Sequence, residues 1–157
     1  MTAGMKKLAL IPVLAAVVYG GYVLQSHEAA HVDVRDRVWI DHMPKSDRDT
    51  INVFALLTQQ PVGVFQATSA WKGGFEAFRY EKQGNEVRAV FPQSGDRERI
   101  TVSECTCDVR GMDYCLEVSG SSRGVKKYYS RKEWIIESRE QVDGVLGKAF
   151  GASDSRK

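Results

Sequence analysis

An excess of either charge is what this sequence lacks first: 22 Lys and Arg stand against 20 Asp and Glu in 157 residues. Without a basic surplus there is no bulk field to draw in nucleic acid, so no nucleic-acid partner is expected. Cysteine is scarce, at three residues, and none of them forms a C-x-x-C pair. That absence removes the dithiol redox motif. No Gly-Lys-Ser/Thr ending appears, so the phosphate-binding loop is missing. Between residues 37 and 136 no helix-length apolar pattern separates the strand-like segments, which argues against parallel βαβ units. Internal repeats and low-complexity tracts are absent as well. With 43% of its residues apolar, the chain nonetheless has enough material for an ordinary core.

What is present begins with a targeting end. Lys6 and Lys7 precede an uncharged run, Leu8 to Leu24, and no acidic residue occurs before Glu28. Cations ahead of an apolar run are the layout of an export signal. Seventeen residues at ~1.5 Å rise reach roughly 25 Å, long for a cleaved signal and at the short limit for a span. Length favours a retained anchor, and cleavage after Ser26 is the alternative. Setting aside Lys6 and Lys7 leaves 20 basic against 20 acidic residues. The body behind the anchor is formally neutral.

Cysteine placement agrees with an exported, oxidising setting. Cys105, Cys107 and Cys115 flank Arg110-Gly111, which reads as a turn. On the flanks Ile100 and Val102 share one face, as do Tyr114, Leu116 and Val118, and all three cysteines fall on the opposite face. One hairpin register sets Cys105 opposite Cys115 and Val102 opposite Val118; another sets Cys107 opposite Cys115. Either permits one cross-strand disulfide and leaves a thiol free.

Eight strand-like segments run from Arg37 to Ile136: 37–42, 51–58, 62–70, 75–82, 86–91, 97–105, 114–120 and 125–135. Breakers such as Gln60-Pro61, Gly73-Gly74, Gln83-Gly84-Asn85 and Gly120 to Gly124 divide them. Short strands joined by tight turns predict an all-β antiparallel meander, closed as a small barrel or folded as a two-layer sandwich. Alternation predicts one buried and one wet face, with Val87, Ala89 and Phe91 inward. Twelve of the fifteen aromatic residues lie between Trp39 and Trp134, enough to fill a barrel or floor a pocket. In strand count and order this resembles the lipocalin architecture, which would imply a carrier of an apolar ligand. No lipocalin motif is matched. The domain plan is therefore an anchor or signal at 1–26, a short polar stalk at 27–36, a β domain at 37–136, and a brief helix with a tail at 137–157. The helix would use Val142, Val145, Leu146 and Phe150, with GASDSRK as a tail.

Candidate functional residues are few. His27 and His31 are one helical turn apart but lack the central Glu of a zinc-protease helix, and no metal or other cofactor is expected. Asp41-His42 has the residue types of an acid–base dyad, so His42 is the catalytic candidate, although neighbouring strand residues point to opposite faces. Ser119 to Gly124 could offer N–H groups and the Arg123 guanidinium to an anion. Arg123, Lys126, Lys127, Arg131 and Lys132 form the densest basic run, with Tyr128 and Tyr129 inside it. That run reads as a charged edge strand or as a contact for anionic lipid, acidic polysaccharide or another envelope protein. The functional expectation is an extracytoplasmic binding or structural module held to the membrane through residues 8–24. A barrel carrier and a hydrolase-type enzyme are the rivals.

Overall fold

A computed structural model of the chain describes residues 32–154. The 8–24 segment, His27 and His31 lie outside the described residues. Eight strands appear in chain order: β1 Trp39–Ile40, β2 Ile51–Leu57, β3 Val62–Thr68, β4 Gly73–Gln83, β5 Glu86–Val90, β6 Arg97–Cys105, β7 Tyr114–Ser119 and β8 Lys127–Ser130. Each pairs antiparallel with the next, and β1 pairs with β8 through Ile40 and Tyr129, closing a barrel. The meander expectation holds, and closure decides for the barrel. It also leaves no edge, so the 125–135 segment is not an edge strand but an interior member of the ring.

The interior is built from alternate residues of every strand. Phe54, Phe65, Phe78 and Phe91 form a column with ring centroids 5.0, 5.4 and 5.0 Å apart, and Tyr128 joins at 5.7 Å from Phe54. Trp39, Tyr80, Val87, Ile100, Val102, Leu116 and Val118 complete the cluster. Gly63 lies against this column: a side-chain carbon there would overlap the Phe78 ring. Large rings and an absent side chain are complementary choices for filling one cylinder. The carrier reading needs a chamber where these rings stand.

The rule of one buried and one wet face holds in β5, where Val87 and Ala89 are buried while Arg88 and Val90 are exposed. It fails in β2, which is buried on both faces except at Asn52. The cause is a 16-residue helix, α1 Arg139–Asp154, longer than the sequence pattern implied. Its Val142, Leu146, Ala149 and Phe150 form a second core with Val38, Ile40, Ile51, Val53, Ala55 and Leu57 on the barrel's outside. Just ahead of the helix the Gln141 side chain accepts from the Glu137 N–H at 2.6 Å, tying the entering chain to the first turn.

Residues 32–36, read from the sequence as stalk, instead close one end of the barrel. Val34 is buried in the interior cluster with Val32 packed beside it, and the Val34 carbonyl accepts from Trp39 Nε1 at 2.9 Å. In the hairpin, Val102 faces Val118 and Cys105 faces Cys115, with a disulfide across a Cα separation of 5.0 Å. Cys107 is free.

Three outcomes follow. Phe78→Ala removes the middle of the column and is expected to cost roughly 3–5 kcal/mol in urea unfolding. Alkylation of the folded chain is expected to label Cys107 alone, with all three cysteines labelled after reduction. Removing the disulfide by Cys105→Ser is expected to cost roughly 2–3 kcal/mol for a loop this short.

Candidate functional site

The basic run foreseen at Arg123 to Lys132 is dispersed by the fold. Arg123 turns to the barrel end opposite Val34. There its guanidinium meets Glu76 at 2.7 Å, Asp96 at 2.7 Å and Glu98, and lies 3.6 Å from the Phe91 ring centroid. Ser121 and Ser122 donate to Glu98 as well. Gly124, at φ +68°, makes the tight turn that follows, where a side chain would strike the Tyr128 hydroxyl; glycine alone meets both demands. Tyr128 points inward, and burial pushes its phenol up to about 12. Its oxygen accepts from the Val125 N–H at 3.0 Å. Lys127 points outward opposite Glu117. Arg131 packs over Trp134 at 5.4 Å, while Lys126 and Lys132 are exposed on separate turns. Arg123 thus acts as a lid of charge over an aromatic column.

Electrostatics of that lid set an acid response. Burial raises the Glu98 carboxyl, but donors from Ser122, Ser121 and Arg123 outweigh it and hold Glu98 below the usual carboxylate range. A depressed folded-state pKa contributes stability that is complete above about pH 4.5 and is lost as pH falls through the folded value.

His42 lies just beyond β1, where the chain bends, so its ring reaches Asp41 after all. Nδ1 is 2.9 Å from Asp41 and Nε2 3.2 Å from Asp49. Asp41 also accepts from Asn52 at 2.9 and 2.7 Å, and Asp49 from the Lys45 N–H at 2.9 Å. The Lys45 N–H bond, then the His42 charge and ring, hold Asp49 below its ordinary value. With carboxylates on both ring nitrogens, His42 clasps the 45–50 turn to β2. Among the described residues no group of three or more His, Cys, Asp or Glu is arranged for a metal.

The fold assembles a site that the linear sequence conceals. Arg79, Arg88, Arg97 and Arg99 are all exposed on β4, β5 and β6. Register makes them neighbours: Arg79 faces Val90, which faces Arg97, and Arg88 faces Arg99. They line, with Pro61, a depression of about 730 Å³ on the outer wall. Arg88 pairs with Glu86 at 2.7 Å. Among the described residues Arg79, Arg97 and Arg99 make no ion pair. Directly opposed like charges weaken a sheet by tenths of a kcal/mol or more; Arg88 faces Arg99 on β6 but Glu81 on β4, so the like-charge contact is offset on one side only. The outward positions of the three candidate strands contain these arginines, but only pairing register reveals that they touch one surface.

The chain matches no protein-family model, no curated protein and no solved structure. The likeness to lipocalins therefore stays one of strand count and order, and function must be argued from the sites.

Arg123→Met is expected to lower stability by roughly 2 kcal/mol, since Glu98 loses its partner at a largely buried position. The discriminating readout is pH: wild type should lose stability as pH falls below about 4.5, and the variant should show a flatter acid limb in chemical denaturation.

Proposed function

We propose that this chain is an extracytoplasmic binding module, held at the membrane through residues 8–24, that engages anionic groups of the cell envelope with the outer wall of β4–β6. The observation that carries the reading is the wall itself: three arginines that make no ion pair, and a fourth paired with Glu86, around one depression that Glu81 also lines. Guanidinium groups spaced by strand pairing, ~4.8 Å across and ~7 Å along, suit a ligand whose phosphates or carboxylates recur. Compartment is supported by the Cys105–Cys115 disulfide, which belongs in an oxidising environment. Apolar cargo in the interior is disfavoured because the phenylalanine column and Tyr128 occupy it. Catalysis at His42 is disfavoured because its ring is engaged on both sides by structural carboxylates.

Anionic headgroups and free phosphate polymers share this chemistry, and one experiment separates them. The full chain in phosphatidylcholine nanodiscs is titrated calorimetrically with inorganic polyphosphate. Arg97→Ala/Arg99→Ala is expected to weaken binding by roughly 30-fold, at ~1 kcal/mol per arginine, and raised salt to weaken the wild type. Repeating the titration in phosphatidylglycerol nanodiscs identifies the occupant. Competition by the headgroups assigns the wall to lipid, and unchanged affinity assigns it to soluble polymer. Equal polyphosphate binding by the double variant and the wild type would overturn the reading.

A further inference from the structure

Away from the arginine wall, the β3–β4 hairpin presents Trp71 with 79% of its surface exposed. The other tryptophans are interior residues, Trp39 at 0% and Trp134 at 4%. An indole left in water forgoes roughly 2–3 kcal/mol of burial, so its position calls for a partner. Trp71 borders a cleft of about 600 Å³ that also includes Arg48, Thr50, Ala67, Lys72 and Gly74. Both cations at its rim are exposed, and among the described residues neither makes an ion pair.

Both walls of the cleft are braced. On the hairpin side the Ser69 N–H donates to the Lys72 carbonyl at 2.7 Å, and the Ser69 hydroxyl oxygen accepts from the Trp71 and Lys72 N–H groups at 3.4 and 3.2 Å. Facing it, the turn that carries Arg48 is tied by Asp49 to His42 and to the Lys45 N–H. Ala70 N–H donates to the Asp47 carbonyl at 3.0 Å, joining the two walls at their base. Gly74 borders the open side of the cleft, where a side-chain carbon would meet nothing within 4 Å. The volume lies within the range that ligand sites occupy.

We propose that this cleft binds an acidic saccharide, with Trp71 stacking on the apolar face of a sugar ring and Arg48 and Lys72 holding its carboxylate or sulfate. An exposed, rigid aromatic plane suits the C–H face of a saturated ring and spends little side-chain entropy. Two unpaired cations beside it select for anionic substituents. Fixing both walls before binding limits the ordering cost that a flexible loop would incur. The site is separate from the arginine wall and does not depend on that reading.

Emission from Trp71 tests the inference directly, since the other two tryptophans are buried. The full chain in a nonionic polyoxyethylene detergent is titrated with oligosaccharides of galacturonate, alginate and chondroitin sulfate, and with neutral dextran oligosaccharides as controls. At least one acidic series is expected to change the emission saturably. Trp71→Ala should abolish binding measured by calorimetry, and Trp71→Phe should retain part of it. Arg48→Ala or Lys72→Ala should weaken it roughly tenfold or more, while Arg97→Ala/Arg99→Ala should leave it unchanged. The inference is overturned if no acidic oligosaccharide binds at millimolar concentration, if dextran binds equally well, or if Trp71→Ala binds as wild type does. It is also overturned if only phosphatidylglycerol vesicles shift the emission, because the indole would then be a bilayer contact.

Discussion

Ile40 pairs with Tyr129 on one side and Val53 on the other, and through that two-residue strand eight strands become a closed ring. So short a strand cannot hold the closure alone, and its flanks reinforce it. Val38 N–H donates to the Trp134 carbonyl at 3.0 Å, the Ser130 hydroxyl donates to the Val38 carbonyl at 2.7 Å, and Arg37 bridges to Ile135. Closure satisfies the backbone groups that an open meander would expose at its edges. It also divides the protein into an inside, which must be filled, and an outside, which must be covered or made useful.

The inside is filled by rings, and each end is stopped by a different device. Val32 and Val34 enter at one end as apolar plugs. At the other, Arg123 sits over the Phe91 ring among three carboxylates. One guanidinium can do both because its planar face is weakly hydrated and its edges carry five donors. The outside is treated in two ways. Over β1, β2, Cys115 of β7 and Tyr129 of β8 it is apolar and meets Val142, Leu146, Ala149 and Phe150 of the helix or the turns around Met112 and Trp134. Over β4–β6 it is bare and carries arginines. Binding is proposed for the bare surface because the helix already occupies the apolar one.

His42 illustrates how a residue type suggests chemistry that its surroundings redirect. A histidine next to an aspartate has the look of a dyad, and the ring does meet Asp41 once the strand ends and the chain bends. A second carboxylate on the far nitrogen turns the arrangement into a brace for the turn that bears Arg48. Its contribution is to geometry at a neighbouring cleft.

Local chemistry was sufficient for much of the fold. Period-two alternation and the turn residues between segments specify an antiparallel meander, because both act over a few residues at a time. The same alternation put Cys105, Cys107 and Cys115 on one face and narrowed the disulfide to two registers; packing Val102 against Val118 then settled it at Cys105–Cys115. Alternation is silent on curvature, so barrel and sandwich remained equal until Ile40 met Tyr129. It is equally silent on what lies above an outward face, which is why β2 was expected to be half wet and is buried on both sides under α1. Charges that are adjacent in sequence, Arg123 to Lys132, were separated by strand pleat and turns, while Arg79, Arg88, Arg97 and Arg99, up to twenty residues apart, were brought together by register. Residue order determined the strands and their faces. Tertiary structure alone decided which side chains share a surface, since neighbours across a sheet are chosen by pairing and closure rather than by distance along the chain.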